Sequence, residues 1–308
     1  MAQGHYRRQD QEDLGRGARA DLSDGSVSNL RIRSVRLKVG DIEVTALSDG
    51  PFPATLDTLI AFDRDEAQRL LGKPAGTPFF LPVNSYLFKL GGRWTLIDTG
   101  CGPTVGPQLG QLPARLREAG VPPEQIDVVI LTHIHPDHAM GLVDAAGAAV
   151  FPNAELIVHE AEANFWLGCD PASAATERIR RNIGKARHAT APYRARMRTV
   201  PDGEALPGLS AMLLPGHTPG HTGWIVHAGR DALLIWGDVV HIPAIQVARP
   251  EAAFEYDVDP QAARDTRKRT FDMVAADRLT VAGAHLDFPG IGTIVRSGAN
   301  YRFEPQAG

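Results

Sequence analysis

Six consecutive residues constrain this chain more than any other feature. His133-Ile134-His135-Pro136-Asp137-His138 sets three imidazoles and a carboxylate together, directly after Thr132 and the apolar run Val128-Val129-Ile130-Leu131. A short continuous apolar run reads as a strand covered on both faces, so the polar cluster leaves the end of a buried strand. Imidazole nitrogens and carboxylate oxygens are ligand atoms for zinc and neighbouring transition metals. Packed together without a cation, four such groups would repel and desolvate one another. The stretch therefore asks for a metal centre.

Three more ligand-type residues follow apolar runs, where a sheet would present them on one rim. His217 lies in Pro215-Gly216-His217-Thr218-Pro219-Gly220-His221, Asp238 follows Leu233 to Gly237, and His285 follows Thr280 to Ala284. Asp98, in Asp98-Thr99-Gly100, ends the run Trp94 to Ile97. A carboxylate there needs a partner.

The ordering H-x-H-x-D-H after a buried strand resembles the signature of the metallo-β-lactamase superfamily, and the later ligands follow in that family's order. The resemblance spans roughly residues 30 to 305. It implies an α/β fold of the αββα sandwich type, with residues 30–308 as one hydrolase domain; residues 1–29, with few apolar groups, read as a disordered tail. It assigns His133, His135 and His217 to one metal ion, and Asp137, His138 and His285 to a second, with Asp238 bridging. Asp98 would stand behind the ligands and fix their orientation, and His221 would join it there or cap a helix start. The implied cofactors are two divalent ions, zinc first, with manganese, iron or cobalt as further choices. Such ions, about 3.5 to 4 Å apart, share a hydroxide that attacks the substrate. Asp137 and Asp238 would thus serve catalysis directly.

Four segments are similar to the methyl parathion hydrolase branch: Thr45 to Gly50, Phe151 to Ala154, His285 to Gly292, and Tyr301 to Phe303. That branch mixes organophosphate hydrolases with lactonases and arylesterases. Trp166 matches an aromatic position of the leaving-group pocket. Val105 stands where the organophosphate enzymes have phenylalanine, which reduces the aromatic clamp. His241, three positions after Asp238, replaces the tyrosine that acyl-homoserine lactonases often carry, and its imidazole would supply a proton to a leaving alkoxide. The expected function is hydrolysis of a small neutral ester, first of all a lactone. A phosphotriesterase and a glyoxalase-like thioesterase are the alternatives.

Composition narrows the partners. The net charge of −4 over 308 residues gives no electrostatic footprint for nucleic acid or an anionic membrane. No run approaches 18 apolar residues, and the polar first residues lack the core of a signal peptide, so the cytoplasm is the expected location. Cys101 and Cys169 read as reduced thiols. Members of the branch are commonly homodimers, but no seam is readable. The local pattern predicts a hairpin from Ile32 to Ala46, a long proline-rich connection from Ser48 to Pro78 with a helix at Arg64 to Leu71, and helices at Pro107 to Ala119, Glu160 to Leu167, Ala172 to Met197 and Pro260 to Ala275. The arginines of Ala172 to Met197 read as a solvated face.

Overall fold

The computed structural model describes residues 34–306, so the tail assigned to residues 1–29 lies outside the described residues. Side-chain alternation builds the architecture. In the strand Val128–Ile130 and just beyond it, Val128 and Ile130 face one apolar cluster while Val129 and Leu131 face another. In Asp231–Ile235 and the next residue, Leu233 and Ile235 face the first of those clusters, and Leu234 and Trp236 face a third. Successive strand residues point to opposite faces, so three clusters stacked in this way require two sheets with helices outside them. The αββα sandwich follows.

The first sheet runs, edge to edge, Ser34–Val39, Ile42–Ala54, Phe79–Leu90, Arg93–Ile97, Val128–Ile130, Glu155–His159 and Met197–Val200. The second runs Asn300–Pro305, Ile291–Ser297, Thr280–Ala282, Asp231–Ile235, Thr222–Ala228, Leu209–Leu213 and Gly203–Leu206. Between them lies a core including Phe88, Ile130, Ile157, Trp224, Val226 and Ile235. The helix Glu177–Thr190 covers the first sheet through Ile183, Ala186 and Ala189, and the helix Pro260–Asp277 covers the second through Phe271 and Val274. Among the described residues no helix is long and apolar enough to cross a membrane.

Several local expectations change. Ser48 to Ala54 is strand rather than connection: within Ile42–Ala54, Val44 to Ala54 pairs with Phe79 to Phe88, crossing a register shift between Ser48 and Gly50. Pro51 and Pro53 interrupt the alternation there and hide the strand. The remaining connection folds back on the segment after His241, where Leu59–Ile60 pairs with Ala253–Phe254 and Leu59, Phe79 and Leu81 pack with Ile242, Ile245 and Phe254. The helix expected from Pro107 spans only Leu112–Glu118. The one expected over Glu160 to Leu167 is a single α turn, Glu160–Ala163, followed by a π-helical turn, Asn164–Gly168.

Candidate metal centre

All seven ligand-type residues arrive at one place from strand ends. His133 and His135 leave the strand Val128–Ile130, and His135 caps the one-turn helix Pro136–Ala139, which carries Asp137 and His138. Pro136 suits the first helical position, where its missing N–H costs nothing. His217 comes from the turn after Leu209–Leu213, Asp238 from the turn Gly237–Val239, and His285 from beyond Thr280–Ala282. Gly237 has φ +54°, and a Cβ there would stand 2.8 Å from both His221 Nε2 and Thr132 Oγ1. Glycine alone allows that approach.

The groups converge in two sets. His133 Nε2, His135 Nδ1 and His217 Nε2 lie 3.1, 2.8 and 3.2 Å from one another. A neutral imidazole has one donor and one acceptor nitrogen, so three inward nitrogens at these distances cannot all pair; one cation among them would satisfy all three lone pairs. In the second set, Asp137 Oδ2 is 3.6 Å from His138 Nε2 and 3.4 Å from His285 Nε2. Asp238 belongs to both sets. Its Oδ1 is 3.2 Å from His138 Nε2, and its Oδ2 is 3.2 Å from His285, 3.4 Å from His217 and 3.7 Å from His133. His138 Nε2 and Asp238 Oδ1 are buried without a well-directed hydrogen bond. Asp137 keeps 21% of its side chain exposed and marks the open side.

The electrostatics agree with a cation. Burial holds the His133 and His135 imidazoles well below their usual proton affinity, and neighbouring imidazoles add to it, as ligand nitrogens require. Burial opposes charge on His285, yet Asp238 and Asp137 push its pKa up to about 10, and Asp238, Asp137 and Asp98 likewise raise His138. The field at the second set holds positive charge, which a metal ion would supply in place of those protons.

Several of these residues are held from behind. His138 Nδ1 lies 2.9 Å from Asp98 Oδ2, which also accepts from Thr132 Oγ1 at 2.8 Å, while Asp98 Oδ1 accepts from Thr132 N. His221 Nε2 accepts from Asp238 N at 2.9 Å, and its Nδ1 lies 2.9 Å from Leu214 O. Two supports escape sequence reasoning. Asp257 Oδ1 lies 2.9 Å from His217 Nδ1, and Glu162 accepts from the backbone of Ile134 and from Thr218. No motif marks Asp257. Glu162 carries a faint signal, since it shares a helix face with buried Trp166 four residues on.

His241 is almost fully buried, with Nε2 3.3 Å from Asp238 Oδ2 and neither ring nitrogen in a well-directed hydrogen bond. It stacks on His285 at 5.6 Å and is flanked by Phe254 and Tyr256. Burial lowers its proton affinity, which favours the neutral imidazole. Val105 is half-buried and packs with Phe52 against Val83, Cys101 and Leu109. Trp166 requires a correction. It has no exposed surface, lies edge-on to His135 at 5.4 Å and donates to Glu162 Oε1 at 2.6 Å. The π turn directs the indole inwards, so it buttresses a ligand instead of presenting a face to substrate.

The family model of the metallo-beta-lactamase superfamily matches residues 78–285, more than half of the chain and inclusive of all seven ligand-type residues. The chain belongs to this superfamily. It is similar to the crystal structure of the hydrolase AbOPH (TM-score 0.85, 32% identity, 90% of this chain and 98% of that one). It is also similar to AidC, a dizinc quorum-quenching lactonase solved with the product N-hexanoyl-L-homoserine (TM-score 0.84, 25% identity, 90% and 98%). N-acyl homoserine lactonase AiiB of Agrobacterium fabrum is 34% identical over 100 residues, which are 27% of this chain and 34% of that protein. The chain thus spans about a third of the length of that curated relative.

Proposed function

We propose that this superfamily member is a dinuclear metal-dependent hydrolase of small neutral esters, with lactones, acyl-homoserine lactones among them, as the main substrates. The observation that carries the reading is the ligand arrangement itself: two sets of imidazoles and carboxylates sharing Asp238, on a backbone similar to a dizinc lactonase over 90% of its length. His133, His135, His217 and Asp238 would hold one ion; Asp137, His138, His285 and Asp238 the other. Two divalent ions so held supply an activated water nucleophile and an electrophile for the scissile carbonyl.

The chain's own residues do the rest. Asp98, His221 and Asp257 fix His138, Asp238 and His217, so that no reorganisation is needed when substrate enters past Asp137. A neutral imidazole carries one N–H donor. On His241 that donor has no well-directed acceptor, which suits a hydrogen bond to the charge developing on the leaving alkoxide as the ring opens, the proton itself coming from the water consumed in the hydrolysis.

The test is turnover by zinc-reconstituted protein of N-hexanoyl-homoserine lactone, dihydrocoumarin, p-nitrophenyl acetate and methyl paraoxon, with Asp238→Ala as control. Lactone turnover well above the phosphotriester, lost in the control, supports the reading. The reverse ranking replaces it with a phosphotriesterase, and zinc-loaded protein inactive on all four substrates refutes the substrate class.

A further inference from the structure

We infer that Glu162 is a positioning residue for the three-histidine half of the centre, one buried carboxylate that locks the two ligand-bearing loops to each other. The inference rests on the metal-centre reading above. Glu162 has no exposed surface and is far from the motif in sequence. Its Oε1 accepts from Ile134 N at 2.7 Å and from Trp166 Nε1 at 2.6 Å. Its Oε2 accepts from Thr218 Oγ1 at 2.6 Å and from Gly220 N at 3.1 Å. Ile134 stands between His133 and His135, Trp166 backs His135, and Thr218 follows His217. All three nitrogens of the set are therefore referred to one side chain, whereas the second set has no contact with it among the described residues.

The chemistry requires a carboxylate. Four donors converge, and only a two-oxygen acceptor can take four. No lysine or arginine pairs with Glu162 among the described residues, so its charge is buried without a conventional counter-ion. Burial raises its pKa, and hydrogen bonds from Thr218, Ile134 and Trp166, with the His217 imidazole nearby, pull it back. Such an arrangement is costly as a mere tie between loops; beside a cation-binding set it adds negative charge one layer out. The fit is close as well: a Cβ on Gly220 would stand 2.0 Å from Glu162 N, so the His217 loop lies directly on the turn that carries the carboxylate.

The experiment is competitive zinc titration of chelator-stripped parent, Glu162→Gln and Asp98→Asn against a chromophoric chelator, with melting curves of the metal-free proteins. Glutamine keeps the shape but offers one acceptor to four donors. The expected result is two binding steps in the parent. In Glu162→Gln one step weakens about 10- to 100-fold, the size usual for outer supports of a ligand, and the other stays at the parent value. In Asp98→Asn the opposite step weakens more than the first, because Asp98 contacts His138 directly and reaches His133 only through Thr132 Oγ1. Two results overturn the inference: both steps unchanged in Glu162→Gln, or both weakened equally alongside a lower metal-free melting temperature, which is the behaviour of a general structural tie. A parent that loads a single ion refutes the dinuclear reading instead, and Glu162 is then judged on that one step. A parent that loads none refutes both.

Discussion

Replacing Asp257 by asparagine should loosen His217 and remove a measurable share of acid-sensitive stability. Asp257 is buried, accepts from Phe254 N at 3.2 Å through Oδ2, and lies 2.9 Å from His217 Nδ1 through Oδ1. Burial would raise its pKa, but the His217 hydrogen bond and charge, then His241 and Arg267, hold it at about 2 against an ordinary 3.8. That difference is worth about 2 kcal/mol in favour of the charged form. The folded pKa is depressed, so this contribution is fully present above pH 3.8 and is lost as pH falls towards 2. The amide cannot repeat the arrangement. With its oxygen towards His217 Nδ1–H, its NH2 group faces the Phe254 N–H, and the flipped rotamer orphans the imidazole instead. One buried donor left unpaired costs roughly 1–3 kcal/mol, so Asp257→Asn should lose about 2 kcal/mol at pH 7, a fall in Tm of roughly 5 °C. Urea unfolding of both proteins at pH 7 and pH 3 checks this. The gap between them should narrow at pH 3, where the parent's carboxylate advantage is fading. A gap of equal size at both pH values would refute the electrostatic account, and no gap at either would refute the structural one.

Three further outcomes follow from the same geometry. His241→Phe should lower kcat on lactones about 100-fold while sparing p-nitrophenyl acetate, whose leaving phenolate spreads its own charge; equal losses on both would remove His241 from stabilising the leaving alkoxide. Asp98→Asn keeps an acceptor for Thr132 N but deprives either Thr132 Oγ1 or His138 Nδ1 of its partner, so kcat/KM should fall about 10- to 100-fold, measured at saturating zinc and again at limiting zinc, with the larger loss at limiting zinc. Stripping the metal with dipicolinate should lower Tm and zinc should restore it, because ligand present at about 1,000 times its Kd adds about 4 kcal/mol to the native state; a scanning-calorimetry trace unchanged by the chelator would contradict the shared role of Asp238.

The cluster of ligand-type residues was legible because metal binding favours particular side chains and the chain supplies four of them within His133 to His138, which the fold then brings together with His217, Asp238 and His285. The sheets were legible where strands are buried on both faces, as in Val128–Ile130, and illegible where they are short or interrupted: Gly203–Leu206 is an edge strand without apolar alternation, Asn300–Pro305 is an edge strand whose inward face is only Tyr301 and Phe303, and Pro51 and Pro53 hide the continuation of Ile42–Ala54. The supports behind the ligands divide along another line. Asp98 could be expected, since a carboxylate at a buried strand end must have partners wherever the chain goes next. Asp257 and Glu162 could not, because each takes its role from contacts set only by the tertiary fold: Asp257 with His217, 40 residues away, and Glu162 with Ile134 and Gly220, 28 and 58 residues away. Trp166 was misplaced for the same reason, its direction being decided by a π turn that no periodicity announces. Yet Glu162 and Trp166 together hold the one local sign that was available. An acidic residue on the same helix face as a buried indole has to find donors, and in a chain that already declares a metal centre, backbone N–H groups between its ligands are donors the carboxylate can serve and orient at once.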